Sequence, residues 1–357
     1  MIISKYKNKR VIVTGHTGFK GSWLTLWLYL LGAKVLGISL PSKKNDHFSL
    51  LNIKNRINSR YINILDKKKI ESAILNFKPD YVFHLAAQSL ITKSLQQPFL
   101  TWKTNVIGTI NLLESVKQIK KRVNCIFITS DKCYENLEKR SGYKETDRLG
   151  GEDPYSASKA SAELAINSYF LTFLKSTKHR VVTARAGNVI GGGDWNHGRI
   201  LPDCMNSIIL GKKVKIRSLT SSRPWQHVLD IIYGYLLLGI KLSQNKKLNG
   251  HSFNFGPNKS VIKTTLNLIL EIKRYWPALN YQKNKKRTFK ETNCLVLNSS
   301  KANKKLKWKT NLNFSQTVKF TVDWYKDYYF IKKNKIKSTI YYVSKKQIDL
   351  YIKKFVK

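Results

Sequence analysis

Short apolar runs alternate with longer stretches of helical spacing along the first half of this sequence. Arg10–Thr14 (RVIVT) and Lys34–Ser39 (KVLGIS) carry no polar alternation, as strands covered by helices on both faces require. A glycine-spaced turn and an apolar helical segment reaching about residue 31 lie between them and complete a βαβ unit. The alternation goes on, predicting strands at 61–64, 81–85, 124–129 and 180–184 and helices over Lys67–Phe77, 105–119 and 155–174. Such a rhythm specifies an α/β chain with a doubly wound parallel sheet, whose ligands gather at the carboxyl ends of the strands.

After Arg185 the rhythm breaks at Gly191, Gly192 and Gly193 and then into proline-containing segments. Residues 1–187 read as the dinucleotide-sized domain, with a helix at 228–242 and a strand at Ser252–Phe255 returning to it around 228–256. Residues 188–330 read as a smaller C-terminal substrate-binding lobe. The lysine-rich tail, 331–357, reads equally as an extra helix or a frayed end. A chain of 357 residues is long for one core, which suits a large domain plus a lobe.

Composition narrows the function classes. Lys and Arg number 65 against 21 Asp and Glu, a formal charge of +44, but the excess runs from Lys5 to Lys357 without a stripe. That distribution reads as a solvated basic surface that attracts phosphorylated small molecules, with no nucleic-acid partner expected. The most apolar stretch, 23–40, is interrupted by Gly32, Lys34 and Gly37, so helix then strand is expected and no membrane span. The first ten residues lack the layout of a secretory leader. Cys125, Cys133, Cys204 and Cys294 lack metal-ligand spacing, so no metal is expected and reduced thiols in a cytoplasm fit best.

The turn after the first strand reads Thr14-Gly15-His16-Thr17-Gly18-Phe19-Lys20-Gly21. Its glycines serve tight turning, close backbone approach to a pyrophosphate and close helix packing, while the helix N-terminus offers N–H groups. This makes the sheet a Rossmann-type dinucleotide fold. No acid ends the second strand, where Gly37-Ile38-Ser39-Leu40 stands, so NADP stays open beside NAD, with Lys43 and Lys44 close in sequence. Tyr155 and Lys159 are four residues apart, on one helix face, where a phenolate has a cation within reach. Ser130, Asp131 and Lys132 follow an apolar strand, at the edge where hydrogen-bonding and acid-base groups are useful.

Taken together, these runs resemble the extended short-chain dehydrogenase/reductases, the NAD-dependent epimerase/dehydratase family, from about residue 5 to about 325. The runs are VTGHTGFKG at 13–21, HLAAQ at 84–88, ITSDKCY at 128–134, DPYSASK at 153–159, RAGNVIGGGDW at 185–195, RPWQHV at 223–228 and NFGPN at 254–258. The resemblance is tightest to the members that dehydrate nucleotide sugars, with CDP-glucose as the implied substrate. It implies a bound NAD that takes hydride from C4, loss of water across C5 and C6, and hydride return to C6, giving CDP-4-keto-6-deoxyglucose. Epimerisation at C4, or dehydration of a dTDP- or GDP-linked sugar, is the competing reading; epimerisation needs no acid for a leaving hydroxyl.

By this resemblance Tyr155 is the base at the C4 hydroxyl, Lys159 lowers its pKa and holds the nicotinamide ribose, and Ser130 bonds the C4 oxygen. Asp131 is the acid for the C6 hydroxyl. Where related dTDP-glucose dehydratases carry a Glu as C5 base this chain has Lys132, which becomes the candidate, with Tyr155 or a water as alternatives. The implied dinucleotide contacts are Gly15, His16, Thr17, Gly18, Phe19, Gly21, Asn63, Ile64, Ala86, Ala87, Gln88, Asn105 and Thr129, with Tyr155 and Lys159. Those of the nucleotide sugar are Asn188, Arg199, Arg223 and Asn254. Asn63 stands where relatives carry an Asp beside the adenine, which together with the missing acid after strand two predicts a loosely held, exchangeable cofactor. A homodimer or homotetramer through the helices at 105–119 and 155–174 is also implied.

Overall fold

The computed structural model describes residues 2–139, 141–257, 262–283, 295–336 and 339–356. Asn258 and Cys294 lie outside the described residues. Seven strands form the central sheet: β1 (Arg10–Thr14), β2 (Lys34–Ser39), β3 (Asn58–Tyr61), β4 (Tyr81–His84), β5 (Asn124–Ile128), β6 (Arg180–Ala186) and β7 (Ser252–Phe255). Every pairing is parallel, in the order β7-β6-β5-β4-β1-β2-β3. The order reverses between β1 and β4, which opens a crevice beyond their carboxyl ends.

Two layers of helix explain why the strands lack polar alternation. Val11 and Val13 of β1 point into one apolar cluster and Ile12 into the other. On the first face lie α1 (Phe19–Leu30) and a later helix at Val228–Gln244; on the second lie α2 (Lys67–Phe77), α3 (Gly108–Lys117) and α4 (Pro154–Tyr169). Outside the central sheet, the described residues include α5 (Ile200–Ile209) and three small strand pairs. In chain order the Val228–Gln244 helix is α6, followed by α7 (Thr265–Tyr275), α8 (Phe314–Lys333) and α9 (Ile340–Phe355).

Three boundaries differ from the sequence reading. The third strand occupies Asn58–Tyr61 instead of 61–64, because an edge strand exposed along most of its length has no need of an apolar run. The apolar Ile64 that drew the assignment is instead a plug, packed where Gly108 leaves room for it. The helix expected from 105 is preceded by short helices Ile91–Gln96 and Pro98–Trp102 and a π turn at Lys103–Ile107. The helix expected to reach 174 ends in a second π turn, Phe170–Leu174.

At the other end of the chain, α9 packs on α1 and α6. Tyr351 sits edge-on to Trp27 with ring centroids 5.7 Å apart, and its hydroxyl donates to Asp230 Oδ1 at 2.6 Å. The Asn311 amide donates to the same oxygen at 2.8 Å. His47 Nε2 and Ser344 Oγ, 3.0 Å apart, make a second tie. Burial pushes the Asp230 carboxyl up to about 6, against the hydrogen bonds from Tyr351, Asn311 and Leu312 that pull it down. A carboxyl raised in the folded state contributes stability that is complete below its unfolded value of 3.8 and is lost as pH rises through about 6. Asp230→Asn, which keeps an acceptor oxygen, is therefore expected to gain on the parent between pH 4 and pH 7 by up to about 3 kcal/mol. Urea unfolding of both proteins across that range checks this; a pH-independent difference would refute it.

Candidate active site

The glycine turn between β1 and α1 lies over the crevice. Gly15 has φ +74°, and a Cβ there would come within 2.7 Å of the Ala86 amide nitrogen, so the turn is pressed against the end of β4. A Cβ on Gly21 would strike the Gly15 carbonyl, whereas one on Gly18 would meet only that carbonyl oxygen at 3.4 Å. Gly18 also starts α1 without any side-chain cap, leaving the first N–H groups of the helix to a ligand. An open glycine at an uncapped helix N-terminus is the cradle a dinucleotide pyrophosphate fits. Phe19 follows, half-buried beneath Gly191.

His16 has a structural post beside that cradle. Its ring fills the space where Gly37 lacks a Cβ, stands edge-on to Phe48 at 4.8 Å, and reaches Ser59 Oγ through Nε2 at 2.8 Å. Burial pulls its pKa down to about 4, so it is neutral. At the end of β2, where an acid would hold a ribose, Ser39 Oγ pairs with Thr17 Oγ1, and Thr17 also donates to the Leu40 carbonyl at 3.0 Å. Asn63 is exposed and accepts from the Leu65 amide at 3.0 Å. The half-buried Ala86 and Ala87 line the exit of β4, and Gln88 beyond them is fixed by Asn105. Asn105, in the π turn, accepts from Gln88 N at 2.8 Å and donates to Gln88 O at 3.0 Å and Ser158 Oγ at 2.8 Å. It braces the wall of the crevice.

The candidate catalytic side chains gather on the other half of the sheet. Asp153 caps α4 by accepting from the Tyr155 and Ser156 amides at 3.0 Å, and Pro154 presets the first turn. That geometry brings Tyr155 beside Ser130 at the end of β5. Burial pushes the phenol up to about 12, the hydrogen bond with Ser130 pulls down, the Asp131 charge pushes up, and Arg199 pulls down. Lys159 is buried one turn on, donates to the Ile128 carbonyl at 3.2 Å, and is lowered to about 8 by desolvation. Ser130 donates to Asp131 Oδ1 at 2.9 Å, and Lys132 Nζ lies 3.7 Å from the same oxygen. Asp131 Oδ2 is buried with no hydrogen-bond partner.

Sequence reasoning missed what holds this group together. Glu163 continues the spacing of Tyr155 and Lys159 by one more turn of α4 and meets Arg185 of β6 in a buried two-pronged pair, both contacts 2.8 Å. Thr129 and Thr183 donate to the same carboxylate, and Arg185 donates to Tyr134 at 2.7 Å. Asn254, expected at the nucleotide sugar, belongs to this network: it is fully buried, accepts from Tyr134 and donates to the Tyr143 carbonyl, each at 2.8 Å. Arg199, at the start of α5, pairs with the buried Asp194 at 2.9 Å and adds to the field at Tyr155. Asn188 and Arg223 are half-buried, Asn188 accepting through its carbonyl from Gln226 N and Arg223 donating to the Ser222 carbonyl.

The sequence profile of a family described as GDP-mannose 4,6 dehydratase matches residues 12–321. The chain is 39% identical to CDP-glucose 4,6-dehydratase of Salmonella typhimurium over 328 residues, 90% of this chain and 91% of the relative. It is 25% identical to UDP-glucose 4-epimerase of Mycoplasma genitalium, across 90% of this chain and 97% of that one. Among solved structures, dTDP-glucose 4,6-dehydratase from Bacillus anthracis in complex with NAD matches with a TM-score of 0.74 at 23% identity, covering 89% and 97% of the two chains. UDP-glucose 4-epimerase from Thermotoga maritima with UDP-glucose matches with a TM-score of 0.74 at 25% identity, covering 91% and 99%.

Removing one partner of a buried ion pair leaves the other charge uncompensated, at a cost of about 3–5 kcal/mol. Glu163→Gln is expected to lose that much in urea unfolding. The double change Glu163→Gln with Arg185→Met should recover part of it, and strict additivity of the two single losses would refute a direct pair.

Proposed function

The chain belongs to the GDP-mannose 4,6-dehydratase family, within the epimerase/dehydratase branch of the extended short-chain dehydrogenase/reductases, and from that membership we propose that it dehydrates CDP-glucose to CDP-4-keto-6-deoxyglucose. The observation that carries the substrate is the 39% identity, along 90% of the chain, to an enzyme named for that reaction. What favours dehydration over epimerisation is Asp131, whose unpartnered oxygen stands beside Tyr155 and Ser130 where a departing hydroxyl needs a proton.

A nicotinamide dinucleotide, NAD in our assignment, supplies when bound an acceptor for hydride at C4 and a donor for its return at C6. Gly15, Gly18 and the first amides of α1 hold its pyrophosphate, and the Ser39 and Asn63 side frames its adenosine. Tyr155 takes the C4 hydroxyl proton while Ser130 bonds that oxygen. With its phenol at about 12 in the free chain, Tyr155 becomes an effective base as positive charge enters the site, Lys159 standing one helical turn away. The proton Tyr155 takes passes through Ser130, which touches both groups, to the Asp131 carboxylate, and Asp131 gives it to the leaving C6 oxygen; Lys132, as the free amine, takes the C5 proton and returns it to C5 as hydride reaches C6. Arg199 and Arg223, with Asn188, bind the sugar diphosphate, arginine being suited to two-pronged bonds with phosphate oxygens. Asn254 then acts from behind, through Tyr134 and Arg185.

The active unit is a homodimer or homotetramer. Phe99 (77% exposed), Trp102, Ile107, Leu164, Leu171 and Phe173 leave exposed apolar side chains on the neighbouring segments 98–107 and 154–174, a surface of the kind that a second copy covers. No helix among the described residues is long and apolar enough to cross a membrane. The described cysteines are unpaired and buried, which suits the reducing cytoplasm we assign.

Two measurements test this reading. Purified protein with NAD is expected to convert CDP-glucose, and not dTDP-glucose or UDP-glucose, to a 4-keto sugar with loss of one water by mass. Asp131→Asn should cut that rate by at least about a hundredfold, whereas isomerisation without water loss would make the chain an epimerase. Phe99→Glu combined with Leu164→Glu is expected to yield monomers in sedimentation velocity; an unchanged assembly would place the interface elsewhere.

A further inference from the structure

The run Gly191-Gly192-Gly193-Asp194-Trp195 is a motif that the reaction above leaves without a task, although Arg199 follows it directly. Its path is set by what the glycines are pressed against. A Cβ on Gly187 would come within 3.1 Å of Asp131 Oδ2, and one on Gly191 would meet the Phe19 ring at 3.3 Å. On Gly192 and Gly193 it would strike the rings of Trp324 and His47. Residues 187–193 therefore run from the acid beyond β5, past the first turn of α1, and on to α8.

At that outer end the loop is tied down. Trp23 Nε1 donates to the Gly192 carbonyl at 2.9 Å, and the Tyr325 hydroxyl donates to the Asp194 carbonyl at 2.5 Å. Trp195 packs against Tyr325 and Tyr328, with centroids 5.0 Å apart in both pairs. Ser344 of α9 accepts from Trp324 Nε1 at 2.9 Å and so braces the ring on which Gly192 rests. Asp194 thus has an anchored backbone beneath a buried carboxylate.

One oxygen of that carboxylate accepts from Asn196 Nδ2 at 2.6 Å, and the other from Arg199 Nη1 at 2.9 Å. Arg199 is held through that nitrogen alone: no other hydrogen bond joins its guanidinium to a described residue, and its side chain is 36% exposed. Arg185 is the contrast, with Nε, Nη1 and Nη2 all engaged inside the fold. An arginine anchored at Nη1 keeps the Nε and Nη2 edge for two phosphate oxygens, and has given up most of its swing before a ligand arrives.

We propose that Asp194 is a positioning residue for the nucleotide sugar: it fixes the Arg199 guanidinium in the orientation that receives the diphosphate, and α8 fixes Asp194. The proposal rests on the nucleotide-sugar reading above, in which Arg199 binds that diphosphate. Asp194 acts through Arg199 alone, so its contribution vanishes when the arginine is removed.

The test is calorimetric titration of CDP, with NAD present, into the full chain, Asp194→Asn, Arg199→Met and the double variant, beside kcat and KM for CDP-glucose. Asp194→Asn is expected to weaken CDP by about tenfold and to raise KM more than it lowers kcat. In the Arg199→Met background the same change should move CDP affinity by less than about twofold. Equal losses in both backgrounds, as a merely structural loop residue would give, or no loss in either, would overturn the proposal alone. Should Asp194→Asn not fold, Tyr325→Phe decides, since it frees the Asp194 carbonyl and keeps every charge: about a threefold loss with Arg199 present and none without it is expected, and any other pattern refutes the proposal. Failure of the parent to bind CDP would overturn the nucleotide-sugar reading itself, and this inference with it.

Discussion

The arrangement of the site depends on one buried ion pair. Glu163 lies on the helix that carries Tyr155 and Lys159, and Arg185 on the strand beside the one that delivers Ser130 and Asp131. Their two-pronged contact, with Thr129 and Thr183 donating to the same carboxylate, ties α4 to the ends of β5 and β6. Arg185 extends the tie through Tyr134 to Asn254 on β7. An apolar contact would hold the helix near the sheet but let it slide; directional charge-assisted bonds fix its rotation and height, and with them the meeting of phenol and Ser130. A buried pair of this kind adds little net stability over a well-packed apolar substitute, so its value here is register.

Legibility of the fold followed burial. β1 and β2 could be delimited from sequence because both faces are covered and every residue after the charged first positions, Arg10 and Lys34, is buried. β3 could not, since an exposed edge strand reads as polar and a neighbouring core plug, Ile64, imitates one. The catalytic candidates were legible through residue type and spacing, but their supports were not. Glu163 was visible in principle as the third step of a four-residue series after Tyr155 and Lys159, yet a lone Glu on a helix carries no mark of an arginine 22 positions on. Asn254 shows the converse: its motif was legible, while its full burial depends on Tyr134 and Tyr143 arriving from elsewhere in the chain.

The lysine-rich composition masked the end of the chain in the same way. In α9 the lysines face water, while Ile340, Tyr341, Ser344, Ile348 and Tyr351 recur at helical spacing on the buried side. The buried histidines show how little of the interior responds near neutral pH. His16, His47, His84 and His227 are all driven to about 3–4 by desolvation and stay uncharged, so they work as shaped hydrogen-bonding rings. Lys159 and Asp230, by contrast, are buried groups whose charge changes within a few units of neutrality.

The tie between His47 and Ser344 spans 297 positions, and that between Asp230 and Tyr351 spans 121. Contacts of such sequence separation form only after a large loop has closed, and they slow the search for the native topology. Until α9 docks, the indole of Trp27 on α1 lacks its Tyr351 neighbour, so the opening βαβ unit waits on a segment some three hundred residues away for its last layer of cover. The packing thus ties the cover of α1 to the far end of the chain, and contacts with so long a loop to close bear on the rate of folding more than on its final stability.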